Sequence, residues 1–202
     1  MFKSLISALI VSIATLSGAQ AEVIRIDTNQ DATIDGYSNH YFNTGYRWVG
    51  GTGYFSIFGF DTTALQGKTI TAATFSAFHN YTAGAATIGA AIGSNNSWNA
   101  QTVISYTGVG AILDTEVTDQ STLYTFQNWD LGPLTMTGNY LTVALKDMGN
   151  GWNDYEPVVY TGANNAFLTL TVADNKVPEP ATLGLLGLGL AGAAFARRRR
   201  RA

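Results

Sequence analysis

The chain has 202 residues, no cysteine, and 14 acidic against 11 basic side chains. The missing cysteine excludes disulfides, thiol nucleophiles and Cys-ligated zinc, so a folded body must be held together by core burial. Five of the basic groups are consecutive arginines at the end, and residues 22–176 carry 13 acidic and 5 basic groups, a net charge of −8 that disfavours nucleic acid and anionic membranes.

In chain order, Lys3 is followed by an apolar run over 5–16 and then by Ala19-Gln20-Ala21. A basic start, a short apolar stretch and small residues two apart predict a signal peptide over 1–21. It would engage the Sec translocon and be cut by signal peptidase, with Ala19 and Ala21 as the cleavage-site residues. The apolar run is too short for a stable membrane span.

The body, 22–173, is rich in Gly, Thr, Asn and aromatics and shows no helical period. Short alternating runs predict strands: EVIRI (22–26), YFSIFGF (54–60), TITAATFSAFHNY (69–81) and ATIGAAIG (86–93). TVISY (102–106), TLYTFQNW (122–129), NYLTVALKDM (139–148), PVVYTG (157–162) and AFLTLTVA (166–173) follow. Turn signals such as Asp35-Gly36, Gly50-Gly51 and Gly149-Asn150-Gly151 separate them. Nine or ten strands at this spacing predict an all-β, antiparallel sandwich or jelly roll.

Residues 174–180 form a linker containing Pro178-Glu179-Pro180, 181–196 an uncharged apolar segment, and 197–202 a basic tail with Arg197, Arg198, Arg199, Arg200 and Arg201. Sixteen residues as a helix rise about 24 Å, just short of the roughly 30 Å hydrocarbon core, which predicts a marginal transmembrane anchor. The arginines would hold its end on the cytoplasmic side. The order Pro-Glu-Pro, apolar segment, Arg cluster resembles the PEP-CTERM sorting signal of Gram-negative bacteria that make exopolysaccharide. The resemblance implies an exosortase as partner, cleavage near the Pro-Glu-Pro motif, and transient inner-membrane anchoring before delivery to the cell surface or extracellular matrix.

Within the body, DATIDGYSNHYFNTG (31–45) opens a second pattern. Phe60, Asp61, Leu65, Gly67, Ile70, Ala73 and Phe75 then fit F-D-x-x-x-L-x-G-x-x-I-x-x-A-x-F, and Trp98 follows. This resembles the DNRLRE type of secreted sandwich domain, related to some carbohydrate-binding modules. The resemblance implies a sandwich and a carbohydrate-related role. The acid that often follows the family's Trp is Asn99 here, and Phe58 or Gly59 stands where an Arg is common.

Several residues could carry chemistry. Asp27, Asn29, Asp31, Thr33 and Asp35 fall on alternate positions of an EF-hand-like loop, but Ala32 stands where the loop needs Gly and Ser38 where it needs a bidentate acid. Asp147, Asn150, Asn153 and Asp154 make a looser oxygen-rich cluster. Asp27, Asn29, Asp31 and Asp147 are therefore the candidate metal ligands, with calcium the candidate ion; the competing reading is solvated strand and turn. Trp98 and Trp152, each beside polar loop residues, are candidates for stacking on sugar rings, with Asn153 and Asp154 as hydrogen-bonding neighbours. The competing reading is core filling. His40 and His79 lack metal or catalytic spacing, and Gly187-x-Gly189-x-x-Gly192 lies in the apolar tail with no strand before it, so it is not a dinucleotide site. Asp114 and Glu116 share a strand face without further support for catalysis. No catalytic residues and no resident cofactor are expected. The chain reads as an exported, non-catalytic surface or exopolysaccharide-matrix protein, carbohydrate-binding or adhesive, with a small secreted polysaccharide hydrolase or lyase as the alternative.

Overall fold

The computed structural model describes residues 21–35, 40–42, 45, 47–51, 53–93, 96–99, 108–158 and 163–173. They contain twelve strands: β1 (Glu22–Asp27), β2 (Gln30–Ile34), β3 (His40–Phe42), β4 (Arg47–Gly50), β5 (Phe55–Asp61), β6 (Ile70–Thr82), β7 (Ala86–Gly93), β8 (Val109–Thr118), β9 (Phe126–Asp130), β10 (Tyr140–Asp147), β11 (Trp152–Tyr155) and β12 (Phe167–Val172). No α-helix occurs among the described residues, and no helix there is long and apolar enough to cross a membrane. The expected signal segment up to residue 20, the linker 174–180, the apolar segment 181–196 and the basic tail 197–202 lie outside the described residues.

Two antiparallel sheets make a sandwich. Sheet one runs β1-β12-β6-β11-β4, with β9 also paired to β6; sheet two runs β3-β2-β5-β10-β7-β8. The thirteen-residue β6 is the spine of sheet one. It pairs β12 through its first half, β11 through its last residues, and β9 opposite Thr74–Phe78. Its alternation holds through Ala73, Phe75, Ala77 and His79, which face the core. Register shifts opposite Thr171/Val172 and Asp154/Tyr155 break the period at each end, so Ile70 and Thr82 are also buried.

Phe58 and Phe60 of β5 meet Phe75 of β6, and Phe75 stacks on Trp129 of β9 at 5.6 Å between ring centres. The Trp129 indole N–H donates to the Ile88 carbonyl at 2.9 Å, tying sheet one to sheet two through the middle of the core. At one end of this core Asp31 and Arg47 form a fully buried ion pair at 2.7 Å. Burial pushes the Asp31 carboxyl up and the Arg47 guanidinium down, and their mutual attraction opposes both shifts.

The middle of sheet two, β2, β5 and β10, is buried on both faces. Ala32, Ile34, Ile57 and Ala144 pack on its outer side beneath Trp98. This explains why FSIFGF places apolar side chains on both faces, Phe55 and Ile57 on one and Phe58 and Phe60 on the other, where a strand with one wet face would keep one side polar. The sequence reading differs from the structure in five strands. β2, β3, β4, β8 and β11 are absent from the strand list above; the buried positions of β2, β4, β8 and β11 include Asp31, Thr33, Arg47, Thr118 and Asn153, which interrupt the apolar pattern. TLYTFQNW is strand only from Phe126; Asp119 caps a single 3-10 turn over Gln120–Thr122 before it. TVISY and residues 159–162 of PVVYTG lie outside the described residues, and Pro157 and Val158 are not in a strand.

Candidate functional site

The outer face of sheet one carries a group of aromatic rings around one carboxyl. On β11 the pleat sends Asn153 and Tyr155 into the core and leaves Trp152 and Asp154 outside. Asp154 lies opposite Trp48 of β4 and opposite Tyr81 of β6. Trp152 lies opposite Gly50. Beyond Gly50 the chain reverses and Tyr54 bonds back to Gly50 in both directions, at 3.2 and 3.3 Å. Gly51 adopts a left-handed φ of 58° in that reversal, which glycine permits without cost. Gly50 itself comes so close to the Gly151 carbonyl that a Cβ would collide with it. The result brings Tyr54 to 5.0 Å and Trp48 to 6.2 Å from Trp152, with Trp48 and Tyr54 6.2 Å apart. Tyr81, half exposed, stands on the other side of Asp154.

Asp154 is only 8% exposed, and its Oδ1 has no hydrogen-bond partner among the described residues. Desolvation pushes its carboxyl up to about 7. A carboxyl in that state can accept a hydrogen bond when ionised or donate one when protonated. Flat rings beside it offer stacking surfaces with a polar edge. This combination suits a ligand that has both apolar C–H faces and hydroxyl groups.

The other candidates fall elsewhere. Asn153 points away from Trp152 and Asp154. It is fully buried, and its Oδ1 accepts from Thr118 Oγ1 at 2.9 Å and lies 3.0 Å from His79 Nε2. His79 Nε2 also faces the Tyr81 carbonyl at 3.0 Å, so this nitrogen carries the proton and Asn153 locks strands together rather than facing a ligand. Trp98 is not a rim residue: it is 5% exposed and its indole N–H donates to Thr142 Oγ1 at 2.8 Å. The metal candidates do not converge. Asp27 is exposed and paired with Arg25 at 2.8 Å, and Asn29 is exposed near Trp98. Asp31 already has Arg47 as its counter-ion and accepts from the Val158 amide, so the solvated strand expected there is a buried one. Asp147 sits at the end of β10, where its Oδ1 caps the Gly149 amide at 2.9 Å. Among the described residues no three acids or histidines are placed to hold a metal ion. Asp114 is structural, accepting from the amides of Thr115 and Asp130 and joining β8 to β9.

Trp48, Tyr54 and Tyr81 are the site residues that sequence reasoning did not select. The Gly50-Gly51 turn was the available signal, since a tight reversal there places Trp48 and Tyr54 on neighbouring segments. Of the sorting residues, Ala21 is exposed irregular chain at the start of the described region, and Ala19, Pro178, Glu179, Pro180 and Arg197–Arg201 lie outside it.

Comparison with known proteins adds the family of the carboxyl end. Residues 176–201 match the PEP-CTERM protein-sorting motif. A search of curated proteins returned no match. The chain is thus an all-β sandwich that carries a PEP-CTERM sorting signal. It is a protein sorted to the cell surface by an exosortase, which is its processing partner.

Proposed function

We propose that the protein is a non-catalytic component of the cell surface or exopolysaccharide matrix that binds polysaccharide on the outer face of sheet one. The observation that carries this reading is the grouping of Trp48, Tyr54 and Trp152 beside the unpartnered Oδ1 of Asp154. Sugar rings present C–H faces to the aromatics, and their hydroxyls can bond to the part of the Asp154 carboxyl that stays exposed, Oδ1 itself being covered. Export through the Sec translocon, removal of residues 1–21 by signal peptidase and brief anchoring by residues 181–196 deliver the body to its polysaccharide. The DNRLRE-type pattern of the body supports the same role.

The test is native affinity electrophoresis of the full chain in gels containing the producing cell's own exopolysaccharide. Retardation of the wild type, reduced at least tenfold in apparent affinity by Trp152→Ala, is expected. Equal mobility with and without polysaccharide would contradict the reading. A hydrolase or lyase is the second reading, favoured by one feature: a carboxyl near 7 is suited to act as a general acid. Release of reducing ends from the polysaccharide, abolished by Asp154→Asn, would establish that reading in place of simple binding.

A further inference from the structure

The outer face of sheet two carries a separate concavity. The segment 96–99 lies across this face and is fastened at three points. The Trp98 indole N–H donates to Thr142 Oγ1, Gln30 Nε2 donates to the Trp98 carbonyl at 3.0 Å, and the Thr142 amide donates to Asn96 Oδ1 at 2.9 Å. Gln30 reaches Trp98 by lying across Gly59 of the neighbouring strand. A Cβ at Gly59 would come within 2.7 Å of the Gln30 Cγ. The walls are therefore set by β2, β5 and β10 before any ligand arrives, which lowers the ordering cost of binding.

Beside this fastened segment opens a cavity of about 340 Å³. Carboxamides from Asn29, Gln30, Asn96 and Asn99 surround it, with Tyr140 at its edge and Trp98 behind. Tyr140 is 43% exposed and offers part of a ring face. Among the described residues no lysine, arginine, aspartate or glutamate lines it.

We propose that this cavity is a second carbohydrate site, specific for a neutral sugar residue. A carboxamide carries both donor and acceptor capacity and each sugar hydroxyl is also both; Gln30 Nε2 and Asn96 Oδ1 each spend one bond on fastening the segment, and their remaining capacity together with Asn29 and Asn99 can match hydroxyls in either sense. The Tyr140 ring supplies the apolar contact that a pyranose face requires. The volume is at the small end of ligand sites, about 300–1,000 Å³, which fits a chain end or a short branch rather than a long run of residues. An acidic sugar finds no cation in the lining and meets the field of a body with net charge −8. The site stands on the opposite side of the sandwich from Trp152 and does not depend on the face described above. With both occupied, one molecule would hold two glycans and cross-link them.

Saturation-transfer NMR on the full chain, held in a zwitterionic detergent free of sugar, tests this directly. The probes are neutral gluco-, galacto- and manno-oligosaccharides and the matching uronate oligosaccharides. Transfer to at least one neutral probe is expected, with affinity reduced tenfold or more by Tyr140→Ala and by Asn29→Asp, and changed less than twofold by Trp152→Ala. Asn29 is exposed, so its variant keeps the fold and isolates the effect of the added charge. Neutral binding that neither pocket variant alters overturns the proposal, as does equal binding of uronates or no transfer to any neutral probe. Binding abolished by Trp152→Ala alone would sink the pocket and leave the sheet-one site standing. Loss with Tyr140→Ala alone would sustain the pocket and leave the sheet-one face to its own test against the cell's exopolysaccharide.

Discussion

Asp154 and Asp31 show how one residue type is handled in two ways. Asp31 is buried with a cation, Asp154 among rings without one. An unfolded chain releases the Asp154 proton near pH 4, whereas the folded protein keeps it to about 7. Between those values the folded state binds more protons, so stability falls as pH rises and levels off above about 7. Asp154→Asn should therefore match the wild type at pH 4 and exceed it at pH 8, by about 2–4 °C in Tm for each kcal/mol of relieved burial. Thermal melts across pH 4–8 check this; parallel curves for the two proteins would contradict it. At the other site, Arg47→Met leaves the Asp31 carboxyl buried without its partner. A loss of about 3–5 kcal/mol is expected, read from urea unfolding, and Asp31→Asn in the same chain should recover part of it.

At the level of elements, the long core strands were legible, whereas β2, β3, β4, β11 and the ten-residue edge strand β8 were not. ITAATFSAFHNYT and YLTVALKD have enough alternating apolar positions to mark a period. WNDY and RWVG are four residues each, and each has a polar or charged inward residue, Asn153 and Arg47, beside Tyr155 and Val49. Those inward groups have partners from distant segments, such as Thr118 for Asn153 and Asp31 for Arg47, and no local pattern reveals such pairings. This is also why Asn153 looked like a neighbour of Asp154 in a ligand site: the pleat separates them, and assigning a pleat requires knowing that WNDY is a strand. Trp98 was misplaced at the rim for a related reason, because nothing near it in sequence announces a second core outside sheet two. Gly59 makes that outer layer testable. Gly59→Val should displace Gln30, loosen the Trp98 segment and cost about 1–3 kcal/mol through overpacking. Limited proteolysis should then cut near residues 96–99 faster than in the wild type, and an unchanged cleavage pattern would speak against the Gln30–Trp98 tie.

For the whole molecule, the sorting motif at 176–201 determines destination and the sandwich determines what arrives there. Replacing Pro178-Glu179-Pro180 with alanines should leave a larger, unprocessed form in the membrane fraction and deplete the surface. Immunoblots of fractionated cells check this, and wild-type processing of the variant would contradict it. The central claim, that the outer face of sheet one is a glycan surface, is most directly tested by hydrogen exchange with and without oligosaccharides cut from the cell's exopolysaccharide. Added protection over 47–54 and 152–155 is the predicted result. Protection absent from those segments while oligosaccharide is demonstrably bound elsewhere would contradict it.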